Sequence, residues 1–408
     1  MNSHPILGSL LLRLFNLFVY HSSFVPSGFY SSYTIPLLKA KDYLSKSLEC
    51  ADFRGVAVSN IFSKCFEYCL LEKFAGYLET TDNQFGFKLS MGCNEAIFTA
   101  RRVIETYVDG GDTAHVCALD VSKAFDKVNQ YGLFLKLMKR NVPSSFLGIL
   151  VKWLPNCFTC VKWRGCYSPT FKLSVGIRQG SVLAPILFSV YVNDILRDTA
   201  GLRYGEIIMY ADDILIIVRS VSGLQYVLNI IETELSRLDL RLNGAKSECL
   251  RIGARYNSPL PSIVISDGSV LRWVSCLRYL GSYFLSGRRF ECSLDVSKRA
   301  FSRAVNSILC KIAMSNEDVI LHLIKFKCMP ILLYSTECTN ISKRMLSSLD
   351  FCVMKFLMKI FKTTNRPLID DCLSYFGFTL PSVLIARRVA RFTFKIKSCA
   401  NLLVKRFS

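Results

Sequence analysis

The stretch that decides the fold runs from Ile207 to Val218 and reads IIMYADDILIIV. Two adjacent carboxylates, Asp212 and Asp213, are flanked on both sides by β-branched and aliphatic residues. The apolar runs predict two buried strands, and the acidic pair falls at the turn between them. Because burying two unpaired carboxylates costs several kcal/mol, such a pair usually serves a cation. An ordinary Asp-rich hairpin turn is the alternative, and this stretch alone leaves both interpretations open.

The charge balance predicts a polyanionic partner. The 408 residues include 51 Lys and Arg against 31 Asp and Glu, which gives a formal net charge of +20. A surplus of this size suits either nucleic acid or an anionic membrane surface, and it says nothing about the fold. The length fits two or three domains.

The high apolar content requires a test of the membrane alternative. Hydrophobic residues make up 51% of the chain, and the mean hydropathy is +0.31. The most apolar segment, from Ile6 to Tyr20, is shorter than the ~20 residues that span a bilayer, and Arg13 and Asn16 interrupt it. We predict a buried amphipathic helix there and no membrane partner for the protein.

The chain has 17 cysteines, scattered from Cys50 to Cys399. Secreted disulfide scaffolds concentrate cysteines in short chains, so reduced thiols in an intracellular protein fit this long chain better. Cys157, Cys160 and Cys166 have the spacing of half a zinc site, but no second pair or histidine follows at a suitable distance. Core or surface thiols are therefore the favoured interpretation.

A second acidic centre lies at Asp120, directly after the apolar run from Val116 to Leu119, which predicts a short strand. A carboxylate at a strand end can act as a metal ligand at the edge of a sheet. With Asp212 and Asp213, Asp120 would supply three hard oxygen ligands, which suit Mg²⁺. Two such ions roughly 3.5–4 Å apart can activate a hydroxyl and stabilise a leaving pyrophosphate.

A third element runs from Val175 to Phe188 and reads VGIRQGSVLAPILF. It predicts a helix that opens after a glycine-bracketed Arg-Gln pair. Glycine lets the backbone approach a ligand closely, and a helix N-terminus favours phosphate. A purely structural helix start is the alternative that these residues leave open.

Hydrophobic periodicity predicts most of the remaining elements. From about residue 288, Lys and Arg interleave with apolar residues in helical segments, which predicts a domain boundary. These basic residues could contact phosphates or form a solvated helix face. The predicted helices cover residues 56–80, 94–108, 129–139, 144–154, 182–199 and 223–241, the predicted strands cover 248–252, 263–266, 270–274 and 278–284, and hairpins are predicted at 157–175 and 207–218.

Several short segments carry a family resemblance because they occur in a fixed order along the chain. They are Pro36–Lys39, Asp52–Val58, Gln84–Lys88, Asp120–Asp126, Gly176–Ser181, Tyr210–Asp213, Leu242–Glu248 and Leu277–Gly281. In this order they resemble the reverse transcriptases of non-LTR retrotransposons, the LINE-type elements. The collinear matches cover about residues 33–285, and such a set is far more specific than any one motif.

The resemblance implies a right-hand polymerase fold of class α+β, with fingers, a palm built on an antiparallel sheet, and a helical thumb. Fingers and an N-terminal extension would occupy residues 1–118. The palm with its catalytic motifs would occupy 119–287, including a finger-side insert near 140–175. The helical thumb and C-terminal segment would occupy 288–408.

The implied activity is that of an RNA-directed DNA polymerase. It would add dNTPs to the 3′-OH of a DNA primer on an RNA template by two-metal phosphoryl transfer. The implied cofactor is a pair of Mg²⁺ ions, for which Mn²⁺ could substitute.

The resemblance also implies roles for individual residues. Asp120, Asp212 and Asp213 correspond to the catalytic metal ligands, and Tyr210 would pack beside them. Plain core packing for Phe125 and solvated surface charge for the basic residues are the alternatives. The further implied roles are a steric gate against the ribose 2′-OH for Phe125, contacts to nucleotide and template for Gln179 and Gly180, triphosphate binding for Arg54 and Lys39, a catalytic lysine near pyrophosphate for Lys246, a primer grip for Leu280 and Gly281, and a structural brace for Asp126.

The chain also departs from the family pattern. Full-length relatives usually carry an endonuclease, and only about 30 residues precede the first match, so we expect none in this sequence, and an endonuclease on another chain is an open alternative. Gly55 stands where many relatives have Pro, and Ala184 where Ser is usual. We therefore expect a truncated or domesticated retrotransposon product that works inside the cell, in the nucleus, the cytoplasm or both. A catalytically inactive RNA-binding remnant of the same fold is the alternative.

Overall fold

The computed structural model of the protein describes residues 4–22, 24–39, 48–198, 205–259, 261–311 and 317–407. The chain divides into two compact units, and each is assembled from three separate segments. Unit 1 comprises Met1–Phe87, Asp120–Gly201 and Val227–Asn243, and unit 2 comprises Lys88–Leu119, Leu202–Tyr226 and Gly244–Ser408. The boundaries proposed above for fingers, palm and thumb stay predictions.

Helices account for much of both units. In chain order they are α1 (Pro5–Leu17), α2 (Ser27–Tyr30), α3 (Ile61–Phe74), α4 (Cys93–Asp109), α5 (Gln130–Lys139), α6 (Ser144–Trp153), α7 (Ala184–Asp198), α8 (Val221–Arg237), α9 (Asp295–Lys311), α10 (Glu317–Leu323), α11 (Met329–Leu332), α12 (Lys343–Ile360), α13 (Arg366–Tyr375), α14 (Pro381–Lys397) and α15 (Leu402–Phe407).

The strands are short and mostly antiparallel. In chain order they are β1 (Ser31–Leu38), β2 (Phe53–Ser59), β3 (Thr113–Asp120), β4 (Phe158–Trp163), β5 (Cys166–Tyr167), β6 (Phe171–Lys172), β7 (Gly205–Tyr210), β8 (Asp213–Val218), β9 (Glu248–Gly253), β10 (Ile263–Val264), β11 (Val270–Trp273), β12 (Cys276–Tyr279), β13 (Ser282–Leu285) and β14 (Glu291–Cys292).

Unit 1 combines a small sheet with an aromatic core. The sheet has the order β2-β1-β4-β5, and β6 pairs with β4. In the core, the ring of Phe66 on α3 lies 5.0 Å from that of Phe15 on α1 and 5.9 Å from that of Trp153 on α6. The indole Nε1 of Trp153 donates a hydrogen bond to the carbonyl of Phe29, 3.1 Å away. Large buried rings of this kind hold the helices of unit 1 together.

The predicted helix over residues 56–80 is wrong at its N-terminal end. Its first residues belong to β2, whose valines pair with β1. The helix α3 begins only after Asn60, whose side chain accepts a hydrogen bond from the backbone N–H of Phe62 and so caps it. Because β-branched residues fit a pleated sheet well, pairing with β1 prevails here over the helical spacing.

The predicted amphipathic helix near the N-terminus exists as α1, but the prediction that it is buried is wrong. Phe15 is buried against Phe66, whereas Ile6, Leu10 and Leu12 are each more than half exposed. The aromatic core reaches only the C-terminal part of α1, so the first turns of the helix lie on the surface of unit 1. Among the helices described, none combines the length and apolarity needed to cross a membrane.

The main sheet of unit 2 has the order β10-β11-β9-β3-β8-β7, and β3 lies in its interior. β3 pairs antiparallel with β9, from Thr113 opposite Gly253 to Ala118 opposite Glu248. The hairpin predicted at 207–218 is confirmed as β7 and β8. All residues of β8 after Asp213 are buried, as expected for a continuous apolar run in a covered strand.

The ends of β3 and β8 establish the directions of these neighbouring strands. Nη1 of Arg219, the residue after β8, lies 3.4 Å from Oδ2 of Asp112, the residue before β3. His115, near the start of β3, hydrogen-bonds to the backbone of Val218 at the end of β8. The two strands are therefore antiparallel, so the start of β8 and the end of β3 lie at the same end of the sheet.

The predicted single strand over residues 278–284 is wrong. The segment is a hairpin of β12 and β13, and β14 pairs with β13 to complete a three-stranded sheet. The turn holds Leu280 at φ 44° and Gly281 at φ 83°. Glycine adopts positive φ readily but leucine rarely does, so the leucine concealed the turn within an apolar run.

Helices dominate the chain from Asp295 onward, as predicted. Helices α9 to α14 share one apolar core in unit 2. Its fully buried members include Phe301 on α9 and, at helical spacing on α12, Leu349 and Leu357. Amphipathic periodicity is therefore what builds this part of the chain.

His115 gives the stability of unit 2 a pH dependence. Burial, and then the nearby Arg251, lowers the pKa of His115 from 6.5 to about 4. Because the unfolded chain binds the proton first, we expect the free energy of unfolding to decrease as the pH falls from about 6.5 through about 4. Urea unfolding across this range should show that the free energy of unfolding depends less steeply on pH for His115→Gln than for the wild type. His322→Gln, which changes an exposed histidine of unit 2, should show the same pH dependence as the wild type. Parallel curves for wild type and His115→Gln would contradict this assignment.

Candidate active site

The acidic pair lies at a tight turn at one end of the main sheet of unit 2. Tyr210 pairs with Asp213, so Ala211 and Asp212 alone form the loop. Ala211 is buried and has φ 57°, a left-handed conformation that costs a non-glycine residue roughly 1–2 kcal/mol. Strained residues of this kind concentrate at functional sites, where the surrounding structure holds them in place.

Asp120 lies at the same end of this sheet because it is the last residue of β3. β8 begins at Asp213, and β3 and β8 are antiparallel neighbours. Within unit 1, the carbonyl of Asp120 accepts a hydrogen bond from the backbone N–H of Asn243 at 2.8 Å. β3 thus ends at Asp120, and the convergence of the three aspartates on one site stays a prediction.

The donor set suits a hard divalent cation. Carboxylate oxygens are the ligands that Mg²⁺ prefers, and it is usually held by one or two of them together with waters and substrate phosphates. Within the described ranges, no three Asp, Glu, His or Cys side chains are placed to hold a metal ion, neither the three predicted aspartates nor Cys157, Cys160 and Cys166.

Unit 1 brings together the residues predicted to contact a nucleotide. Arg54 lies on β2 opposite Leu37, and the backbone N–H of Lys39 donates to the carbonyl of Asp52 at 2.8 Å, so the two basic residues occupy neighbouring strand ends. Both side chains are exposed. Exposed cations at adjoining strand ends are available to bind a polyphosphate.

The glycine-bracketed segment packs directly on the same strand. The backbone N–H of Ala57 on β2 donates to the carbonyl of Gln179 at 2.6 Å. Gly180 has φ 116°, and a Cβ at this position would overlap the carbonyl oxygen of Ala57. Gln179 Nε2 donates to Oδ1 of Asp126 at 3.0 Å, a contact that suits the bracing role predicted for Asp126.

Phe125 forms one wall of this region of unit 1. Its ring stacks on Phe188 of α7 at 4.5 Å between centroids, and Phe87 contacts its edge at 6.5 Å. Its carbonyl accepts a hydrogen bond from the backbone N–H of Ile177 at 3.0 Å. The ring is half-buried, so it is held rigidly while part of its surface stays open.

Glu67 is a residue of unit 1 that motif analysis missed. This buried carboxylate of α3 accepts hydrogen bonds from Ser181 Oγ at 2.5 Å and from the backbone N–H of Leu183 at 2.9 Å. It thereby fixes the turn that precedes α7. Its only sequence signal is its position three residues before Leu70, on the helix face that also carries Phe66.

Tyr334 is a second missed residue, and it lies at the predicted primer grip in unit 2. Its hydroxyl donates to the carbonyl of Leu280 at 2.8 Å, and the added Cβ of a side chain at Gly281 would lie 3.0 Å from its ring. Tyr334 and Tyr210 both hydrogen-bond to the Cys93 thiol. Burial, and then Cys93, raises the pKa of Tyr210 to about 12, so its hydroxyl stays protonated at neutral pH. The Leu280–Gly281 turn is thus linked to the acidic turn through three side chains.

Lys246 lies in an exposed turn two residues before β9 begins. β9 pairs with β3, and Lys246 precedes the end of β9 that lies opposite Ala118. Lys246 is therefore at the same end of the sheet as the acidic turn.

A fold with carboxylates at neighbouring ends of a central antiparallel palm sheet, followed by a helical segment, defines the class of right-hand polymerases. The family described as "Reverse transcriptase (RNA-dependent DNA polymerase)" matches residues 39–284, which is more than half of the chain. The chain therefore belongs to the reverse transcriptase family. Enzymes of this family generally use divalent metal ions.

Relatives of known type confirm the resemblance to non-LTR retrotransposons. The chain is 27% identical over 264 residues to the probable RNA-directed DNA polymerase from transposon X-element of Drosophila melanogaster, covering 61% of this chain and 28% of that protein. It is 28% identical over 336 residues to the RNA-directed DNA polymerase from mobile element jockey of Drosophila funebris, covering 77% and 36%. The chain thus spans between about a quarter and a third of these relatives' length.

Among solved structures, the chain is similar to apo telomerase from Candida Tropicalis. The TM-score is 0.49 at 12% identity, and the similarity covers 99% of this chain and 74% of that one.

Gly180 should tolerate no side chain, because both its positive φ and the carbonyl of Ala57 oppose one. We expect Gly180→Ala to destabilise unit 1 by about 2–3 kcal/mol, seen as a lower midpoint of thermal unfolding. Gly28→Ala is the matched control in unit 1, since a Cβ there meets nothing within 4 Å. Equal midpoints for the two variants would contradict the close approach.

Tyr334 should hold the Leu280–Gly281 turn through its hydroxyl alone. Tyr334→Phe removes the hydrogen bonds to the Leu280 carbonyl and to Cys93, each worth about 0.5–1.5 kcal/mol, and leaves the ring in place. We expect faster amide hydrogen exchange in β12 and β13, measured by mass spectrometry. The control is Tyr375→Phe, which changes an 85% exposed tyrosine of the same unit. Unchanged exchange in the hairpin would rule out this role.

Proposed function

We propose that this chain extends the 3′-OH of a DNA primer with dNTPs, using RNA as the template. The observation that carries the proposal is the acidic turn of Asp212 and Asp213 at one end of the main sheet of unit 2, in a chain of the reverse transcriptase family. Phosphoryl transfer depends chiefly on positioning and on neutralising charge. The residues described above would supply both functions.

The three aspartates would hold two divalent ions, Mg²⁺ or its substitute Mn²⁺, through hard oxygen ligands. When bound, the ions would activate the primer hydroxyl and neutralise the leaving pyrophosphate. The strained turn at Ala211 would keep Asp212 and Asp213 in place before substrate arrives. Lys246 would approach from the same side of the sheet and donate a proton to the leaving group.

Residues of unit 1 would bind the incoming nucleotide. Arg54 would contact its triphosphate through the forked donors of its guanidinium, and Lys39 through the point charge of its ammonium group. Gln179 and Gly180 would contact the nucleotide and template from the segment that packs closely on β2. Phe125, fixed by its stacking on Phe188, would present its ring to the sugar and exclude a ribose 2′-OH.

The primer end would rest on the Leu280–Gly281 turn of unit 2. The hydrogen bonds that join Tyr334 and Tyr210 to Cys93 couple this turn to the acidic turn. A primer held there would be presented to the carboxylates with little freedom, which is how positioning lowers a reaction barrier.

Primer extension on an RNA template with Mg²⁺ tests this proposal. We expect the wild type to extend the primer, and the variant with both Asp212→Asn and Asp213→Asn to lose at least about 10³-fold in rate, because charge neutralisation is lost. Asp371→Asn, which changes an exposed aspartate on α13 of unit 2, is the matched control and should retain activity.

Two outcomes would count against the proposal. RNA binding by the wild type without extension in Mg²⁺ or Mn²⁺ would favour an inactive RNA-binding protein of the same fold. Equal rates for the wild type and the double variant would show that the acidic turn is not the catalytic centre.

A further inference from the structure

Unit 2 contains a polar pocket at the opposite end of its main sheet from the acidic turn. Its cavity volume is about 440 Å³, within the range of small-ligand sites. It lies where β3 starts and β8 ends. Six residues of extended chain separate Asp213 from Arg219 in the pocket, which is roughly 20 Å at about 3.3 Å per residue. We call it the arginine pocket, and its polar lining includes Asp112, His115, Arg219, Ser220, Arg251 and Arg255.

Arg251 of β9 is a buried cation in this lining, with 5% of its surface exposed. Its Nη1 donates to the carbonyls of Ser258 at 3.0 Å and Arg255 at 3.3 Å, and its guanidinium lies 5.3 Å from the ring centre of Trp273. Its Nε has no hydrogen-bond partner in the part of the chain that the structure describes. Nε itself is sealed from solvent, so Arg251 would act on an anion in the pocket through its positive charge.

His115 is a second buried group with unused hydrogen-bonding capacity. It is 7% exposed, and its Nδ1 has no hydrogen-bond partner among the described residues. The depressed pKa of His115, about 4, means that the ring is neutral at pH 7. An anion bound beside it would stabilise the protonated ring, so His115 would respond directly to occupancy of the pocket.

The charge of the lining favours an anion with two negative charges. Arg219 contacts Asp112 at 3.4 Å and lies 4.5 Å from the ring centre of Tyr107, which fixes its guanidinium at the pocket. Arg255 is exposed at the edge. Three arginines against one carboxylate leave two positive charges. In addition, α8 begins at Val221 in this lining, and the N-terminus of a helix carries partial positive charge.

We propose that the arginine pocket binds a phosphomonoester group, the terminal phosphate of a nucleotide or of a nucleic-acid strand. Arginine forks match phosphate oxygens in geometry, and a phosphomonoester carries close to two negative charges at neutral pH. Because the pocket lies at the far end of the sheet, this binding is separate from the proposed polymerase reaction and does not depend on it.

Calorimetric titration of the full chain in metal-free buffer tests this proposal. The probes are inorganic phosphate, a deoxynucleoside 5′-monophosphate, and one oligonucleotide with either a 5′-phosphate or a 5′-hydroxyl. We expect each phosphomonoester to bind with one-to-one stoichiometry. Preference for the monophosphate, or for the 5′-phosphorylated strand over its 5′-hydroxyl form, distinguishes the two sources of the phosphate.

Charge variants connect binding to the pocket. We expect Arg219→Gln and Arg255→Gln each to weaken phosphate binding about tenfold, because each removes a charge-assisted hydrogen bond. Both side chains are largely exposed, so the variants should fold. Arg289→Gln removes the same charge from an exposed position of unit 2 outside the pocket and should change affinity less than about twofold. Equal losses in all three variants would overturn the proposal.

The ring of His115 provides a readout that is independent of affinity and of polymerase activity. The chain has only four histidines, so ¹³C-labelled imidazole signals can be assigned with His115→Gln. Phosphate should shift the His115 signal and raise its pKa, and leave His4 and His322 unchanged. The same shift should occur in the variant with Asp212→Asn and Asp213→Asn. Binding without any change at His115 would place the ligand elsewhere and overturn the proposal, whatever the outcome of primer extension.

Discussion

The pairing of β3 between β9 and β8 is the constraint on which the rest of unit 2 depends. β3 is almost wholly buried, and six of its residues pair in register with β9. A shift of one residue would turn every side chain of β3 to the opposite face of the sheet. The register therefore determines which face of the sheet each side chain of β3 occupies, and it places His115 beside Arg251, its direct partner across the ladder. One set of backbone hydrogen bonds thus positions two polar regions at opposite ends of the same strand.

Elements with a strong local signal could be predicted from the sequence. The apolar runs on both sides of Asp212 and Asp213 identify the β7–β8 hairpin, because few structures other than paired strands accommodate two such runs around a polar turn. The helices from α4 onward follow amphipathic periodicity. The family resemblance was equally accessible, because its motifs are short, local and ordered along the chain.

Features decided by distant contacts could not be predicted in this way. Leu280 adopts a turn conformation that its residue type disfavours, because Tyr334, 54 residues away, binds its carbonyl. Glu67 reads as a surface charge on a helix, yet it is buried because Ser181, 114 residues away, donates to it. The exposure of α1 depends on how far the aromatic core of unit 1 extends, which no pattern within α1 records.

The interleaving of the two units has a consequence for the newly made chain. The polypeptide passes from one unit to the other five times. Strand β3 is complete once residue 120 has been added. Its neighbours β8 and β9 are complete only when synthesis reaches residue 253. At 5–20 residues per second, roughly 5–20 s pass before β8 is complete and roughly 7–27 s before β9 is complete. Until β8 is made, an apolar strand destined for the sheet interior has no partner on either edge, a state that invites mispairing with other chains. Of the strands in the main sheet of unit 2, β3 is thus made first, although it lies in the interior of the finished sheet. Its neighbours on both sides come later in the chain.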